Sequence, residues 1–220
     1  PANASPASIF AESLSNSMGA QAMLWQTSPA ATEMETVVGD WLRQALGPKD
    51  GVKGTIQDTA TTATFCAVLT MREKALGFSG LKDGLYGSKK LKIYASDNVH
   101  SSIEKAVRLS GIGENNLCKI KLNENLSINH NELENKIKKD INDGHVPAGL
   151  ILSLGGTSIG ASDDILPLMS LAKKYGLYTH IDAAWAGSAM LCPEFRYLWE
   201  GVDMADSIVF NPHKWLGAQF

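Results

Sequence analysis

Apolar residues recur along the chain in two rhythms, a helical spacing of about 3.6 residues and short unbroken runs. Between Ser5 and Met18 the helical spacing puts Ile9, Phe10 and Leu14 on one side, and Gly19 stops the segment. Ser28-Pro29 reads as a break. Met34, Val37, Val38, Trp41, Leu42 and Ala45 then predict a helix over residues 32–46, ended by Gly47-Pro48. A third helix is expected from Thr61 to Leu76, followed by a glycine-bearing surface loop over residues 76–90. Beyond it the pattern alternates. Strands are predicted over residues 91–95, 117–122, 148–154, 177–182 and 207–210. Between them, Val99, Ile103, Ala106 and Val107 mark a helix with Ser96 or Asp97 available as its cap. Residues 131–141 mark another, and Asp163 or Asp164 opens one that ends at Gly176. His145-Val146-Pro147 reads as a loop, and residues 216–220 read as a strand just entered.

Alternating strands and helices predict an α/β fold, with a mostly parallel sheet and helices on both faces. The run over residues 148–154 has no polar alternation, as expected of a strand covered on both sides. Residues 1–50 form a helical amino-terminal part and residues 51–220 the large domain. Ligands in such sheets bind beyond the carboxyl ends of the strands. Asp182, the Gly155-Gly156-Thr157 turn and the loop from Asn211 to Lys214 all fall at such ends.

Composition narrows the classes. A net charge of -3 and 44% hydrophobic residues suit an ordinary globular core. No basic face dominates, which argues against nucleic acid, and Lys136-Ile137-Lys138-Lys139 reads as a solvated helix face. No apolar run nears the ~20 residues that span a bilayer, and residues 1–18 hold no secretory core. Three separated cysteines, Cys66, Cys118 and Cys192, read as reduced thiols of a cytoplasmic protein, with Cys192 a packed or inert thiol and not a nucleophile. The chain begins with Pro1 and not Met, so an internal fragment of a longer protein is expected.

The chemistry centres on Asn211-Pro212-His213-Lys214-Trp215, where a strand enters a loop bearing a lysine. A lysine can condense with an aldehyde cofactor, and a strand-end carboxylate such as Asp182 can hold a pyridine nitrogen protonated. Together they suggest pyridoxal phosphate. Taken singly, Lys214 would be a loop anchor and Asp182 a helix cap. Residues 56–64 are rich in threonine just before an apolar helix, a start suited to a phosphate, with the Asp58 charge needing to bond elsewhere. His100 is expected in the first turn of its helix, where the dipole favours the neutral ring and leaves it able to stack on an aromatic cofactor. His213 could bond phosphate, whereas His180 and His130 read as structural and surface residues. No zinc spacing, P-loop or nucleophile elbow appears, so no metal is expected.

These residues also carry a resemblance. Thr27-Ser28-Pro29-Ala30-Ala31-Thr32-Glu33, Ser96-Asp97-Asn98-Val99-His100-Ser101-Ser102, the stretch from His180 to Ser188, Cys192-Pro193-Glu194-Phe195-Arg196 and Asn211 to Trp215 look in combination like the group II pyridoxal-phosphate-dependent amino-acid decarboxylases. The match is nearest to the aromatic-L-amino-acid decarboxylases. The resemblance implies the large domain of the type I, aminotransferase-like fold, a homodimer, and pyridoxal 5'-phosphate as cofactor. It assigns Lys214 to the cofactor aldehyde, Asp182 to the ring nitrogen, and Ala60, Thr61, Asn211 and His213 to the phosphate. Thr157 falls near the ring hydroxyl, with His100 on one ring face and Ala184 on the other. His100 also lies near the substrate carboxylate. Pro1 and Ala2 match the end of a substrate-binding segment, with Ala2 replacing a usual hydroxyl residue. Gln21 and Met23 match positions that reach the neighbouring subunit's pocket, and Trp185 stands where many members have tyrosine. The implied reaction is loss of CO2 from an aromatic L-amino acid. Glutamate decarboxylases and aromatic aldehyde synthases share much of this core, and a non-catalytic fragment is the reading from a different class.

Overall fold

The computed structural model describes residues 4–219 and contains a five-stranded, wholly parallel sheet. In chain order its strands are β1 (Leu91–Ser96), β2 (Leu117–Ile120), β3 (Val146–Ser153), β4 (Tyr178–Asp182) and β5 (Ser207–Val209). Their order across the sheet is β2-β1-β3-β4-β5. The helices are α1 (Pro6–Met18), α2 (Pro29–Leu46), α3 (Ala60–Ala75), α4 (Gly80–Asp83), α5 (Ser101–Leu109), α6 (His130–Asn142), α7 (Ile165–Lys174) and α8 (Pro212–Trp215).

Alternate residues of each strand feed two cores. On one face, Ile93, Ala95, Ile151 and Tyr178 meet Val68 and Met71 of α3 and Ile103 and Val107 of α5. On the other, Tyr94, Leu150, Leu152 and Ile181 meet Leu133 and Ile137 of α6 and Leu168 and Ala172 of α7. Each fully buried aliphatic side chain contributes about 1.5–3 kcal/mol by leaving water. Gly149 lets α3 approach β3, because a Cβ there would sit 2.4 Å from the Met71 sulfur.

Several boundaries differ from the sequence expectation. Pro29 does not interrupt the chain but starts α2 at the first helical position, where its missing N–H costs nothing. Val146 and Pro147 are not loop but the first residues of β3. They pair only with β1, across a register shift between Lys92 and Ile93, and β4 joins from Gly149 onward. Pro147 thus precedes the doubly paired part of the strand. The 76–90 loop contains the single turn α4. Residues 216–219 form no strand; Gly217 instead accepts from the Ser5 amide at 2.7 Å, and the Ser8 hydroxyl accepts from the Gln219 amide at 2.6 Å. Cys118 is buried, whereas Cys66 and Cys192 are exposed, so Cys192 is not packed.

One buried polar cluster anchors α6 to the sheet. Asp140, 2% exposed, accepts from the Tyr94 hydroxyl at 3.0 Å, the Lys136 ammonium at 2.7 Å and the Cys118 thiol at 3.5 Å. Burial works to raise the Asp140 pKa, but the bonds from Lys136 and Tyr94 outweigh it and hold the carboxyl below its usual range. Burial and the Asp140 charge push the Cys118 thiol up to about 11, so it stays protonated and unreactive.

Candidate active site at the strand ends

The carboxyl ends of β1, β3, β4 and β5 and the start of α3 hold most of the sequence-predicted site. Backbone bonds fix three of those ends against one another. The Leu154 amide donates to the Asp182 carbonyl at 2.9 Å, and the Ala183 amide donates to the Val209 carbonyl at 2.9 Å. Asp182 lies opposite Val209 in the β4–β5 register, five residues before Lys214. Lys214 sits in α8, whose single turn is closed by the Lys214 amide on the Asn211 carbonyl at 3.1 Å and the Leu216 amide on the Pro212 carbonyl at 2.8 Å.

Asp182 is half-buried, and one of its carboxylate oxygens accepts from the Ala184 amide at 3.1 Å. Neither Asp182 nor Lys214 belongs to an ion pair among the described residues. A half-buried carboxylate without a cationic partner is costly, and a protonated pyridine nitrogen supplies the missing charge. The residues present therefore fit pyridoxal phosphate.

Thr59 caps α3, its hydroxyl accepting from the Thr62 amide at 3.1 Å. No described side chain caps the amides of Ala60 and Thr61, which leaves them for an anion. The charge of Asp58 turns to the Thr59 amide at 2.9 Å. Asn211 is buried and His213 half-buried. Burial first, and the Lys214 charge second, lower the His213 pKa.

His100 is not within the first turn of α5, and neither Ser96 nor Asp97 caps it. His100 is itself the N-cap, its Nδ1 accepting from the Ser102 amide at 3.2 Å and lying 2.8 Å from the Ser102 hydroxyl. A ring nitrogen spent on the cap fixes the plane of an otherwise exposed imidazole. Thr157 is exposed on the loop after β3, which the Gly156 amide closes on the Ala161 carbonyl at 2.7 Å. Gly155 is indispensable there: its φ is +73°, and a Cβ would fall 2.4 Å from the Ala186 Cβ and 2.8 Å from the Trp185 ring. Trp185 in turn meets Trp215 edge-on, with ring centroids 5.1 Å apart. Ala184 is buried.

Gln21 and Met23 lie on the exposed stretch between α1 and α2, and no hydrogen bond joins their side chains to the strand-end cluster. Pro1 and Ala2 lie outside the described residues. Asp163 was expected only as a possible helix opener, and Asp164 holds that position at the start of α7. Asp163 is buried and accepts from the Ser153 amide at 2.7 Å and the Ile128 amide at 2.8 Å, which ties the end of β3 to the loop before α6. Burial pushes its carboxyl up to about 6. Nothing in the sequence separates the two adjacent aspartates by role.

A family model described as the pyridoxal-dependent decarboxylase conserved domain matches residues 1–220. The chain belongs to this family. A tyrosine decarboxylase of Papaver somniferum is 40% identical over 98% of this chain and 44% of its own length. A phenylacetaldehyde synthase of Petunia hybrida is 39% identical over the same shares. Among solved structures, Catharanthus roseus tryptophan decarboxylase in complex with L-tryptophan superposes with a TM-score of 0.93 at 37% identity, covering 100% of this chain and 48% of that one. This decarboxylase-family chain spans less than half the length of the curated relatives it matches. Its parallel sheet is that of the type I fold large domain.

Proposed function

We propose that the complete protein is a pyridoxal-phosphate-dependent carboxy-lyase that removes CO2 from an aromatic L-amino acid. The observation that carries this reading is that Asp182 ends β4 opposite Val209 while Lys214 follows five residues later in α8, each without an ionic partner among the described residues. The cofactor, when bound, supplies an aldehyde that takes up an amino group and a ring that withdraws electrons from the bonds at the substrate α-carbon. The protein's residues do the rest. Lys214 would hold the cofactor through its side-chain amine. The Asp182 carboxylate keeps a proton on the ring nitrogen, the free amides of Ala60 and Thr61 with Asn211 and His213 take the phosphate, and Thr157 takes the ring hydroxyl. His100 and Ala184 would face the cofactor ring, and His100 would also serve the substrate carboxylate. The free thiols Cys66, Cys118 and Cys192 suit a cytoplasmic setting.

Aromatic substrates are favoured because the tyrosine and tryptophan decarboxylases match across nearly the whole chain. Aldehyde formation is the second reading, since the phenylacetaldehyde synthase is as similar as the decarboxylases are. A panel of aromatic and acidic amino acids given to the full-length protein is expected to release CO2 and amine from dopa, 5-hydroxytryptophan, tyrosine or tryptophan. Borohydride reduction is expected to fix the pyridoxyl label on Lys214. Preference for glutamate or a label on another lysine overturns these assignments, and aldehyde with ammonia favours the second reading.

The same reading includes a homodimer. Phe10, Leu14 and Met18 of α1, then Met23, Leu24 and Trp25, then Met34 and Trp41 of α2, are all more than half exposed. So large an apolar surface calls for a partner. A second copy covering it would bring Gln21 and Met23 to the partner's pocket. Light scattering of the full-length protein is expected to give twice the monomer mass; a fully active monomer would contradict this.

A further inference from the structure

His180 is the most deeply enclosed titratable group beside the proposed site, and none of the roles above uses it. It lies on β4 two residues before Asp182, so the two side chains leave the same face of the sheet, about 6.5 Å apart along the strand. That face is the α3 side: Tyr178, in the same alternation, packs with Val68 and Met71, while Ile181 belongs to the opposite core. His180 is 1% exposed. Its Nδ1 lies 2.8 Å from the hydroxyl of Ser207, its register partner on β5. Its Nε2 is buried and has no hydrogen-bond partner. An unpaired buried ring nitrogen is costly and needs a reason.

Apart from Ser207, whose hydroxyl and backbone both act on the ring, its surroundings leave one candidate partner for Nε2. The neighbour on β3 is Ile151, which is apolar. Across the face, the charges of α3 are Arg72, Glu73 and Lys74 in its last turn, at the Tyr178 end, where Lys74 lies 5.2 Å over the Tyr178 ring and pairs with Asp206. The one charge that acts on the His180 ring is Asp182. Burial outweighs that attraction and the bond to the Ser207 backbone and holds the imidazole below its usual range, which favours the neutral ring.

We propose that His180 is a positioning residue for Asp182. In this role the Ser207 hydroxyl donates to Nδ1 and leaves the ring proton on Nε2, and Nε2–H, unpaired in this structure, turns to the carboxylate oxygen that the Ala184 amide does not take. The carboxylate is then held from both sides with its charge intact. A protonated His180 would instead pair with Asp182 and cancel the charge that a cationic ring nitrogen requires.

This inference rests on the proposed cofactor reading, and its test separates the two. Full-length protein is reconstituted with pyridoxal phosphate labelled with 15N in the ring, and the nitrogen shift is followed against pH in wild type, His180→Asn, His180→Gln and Ser207→Ala. Asparagine can replace Nδ1 but not Nε2, whereas glutamine reaches the Nε2 position. In His180→Asn the midpoint for loss of the ring-nitrogen proton is expected to fall by about one pH unit or more, a tenfold loss of proton affinity. His180→Gln is expected to stay near wild type and Ser207→Ala to fall in between. A wild type that takes up no pyridoxal phosphate refutes the cofactor reading itself. A wild-type midpoint in His180→Asn refutes the role of His180 alone. An equal fall in His180→Gln also refutes it, because burial and packing would then account for the effect.

Discussion

Asp182→Ala in the full-length protein is expected to retain part of its cofactor while CO2 release falls about 10²–10³-fold, the scale found when one preorganised electrostatic group is removed from a reacting centre. The Ala184 amide loses its acceptor, but the β4 end remains tied through the Asp182 carbonyl and the Ala183 amide, which any side chain preserves. The loss should therefore appear in kcat more than in cofactor uptake, since the carboxylate acts mainly as negative charge develops on the substrate. Turnover equal to wild type would remove Asp182 from the mechanism.

The second large effect lies away from the site and concerns stability. Asp140→Ala strips the Tyr94 hydroxyl, the Cys118 thiol and the Lys136 ammonium of one shared acceptor. Lys136 is partly exposed and can turn to water, but Tyr94 is fully buried and cannot. A loss of about 3 kcal/mol is expected, the scale of breaking a buried ionic cluster from one side. It would be read from the urea unfolding midpoint of the full-length protein. Adding Tyr94→Phe should restore part of the loss by deleting the stranded hydroxyl. An unchanged midpoint in Asp140→Ala would show that α6 is held by its apolar face alone.

The contrast between these two aspartates marks what a sequence discloses. Asp182 could be singled out as a candidate because its signal is local: an apolar run ends there, and a lysine follows shortly after the next strand. The strands themselves were legible for the same reason, each being a short apolar run between helices. Asp140 was not, because its partners Tyr94 and Cys118 lie 46 and 22 residues away and reach it only once β1 and β2 pair. His180 read as structural because alternation reveals that it shares a face with Asp182 but not that Nε2 lacks a partner. Pro29 and Pro147 misled in a common way. Each was read as an interruption, yet each sits where its absent N–H is not needed, at a helix start and at the singly paired beginning of a strand. The His100 cap was hidden because histidine is not a usual capping residue, and the ring nitrogen takes the place of a hydroxyl.

Helix α1 buries none of its 13 residues. A lone helix of that length is marginal in water, so its helicity depends on whatever covers it. The chain should thus open in stages. Amides of α1 should exchange with deuterium at a rate set by local fraying, while those of β3 and β4 wait for global unfolding. Protection of α1 should also rise with protein concentration while protection of the sheet does not. The amino-terminal helix would then be a gauge of assembly, its order supplied by a neighbour and withdrawn on dilution.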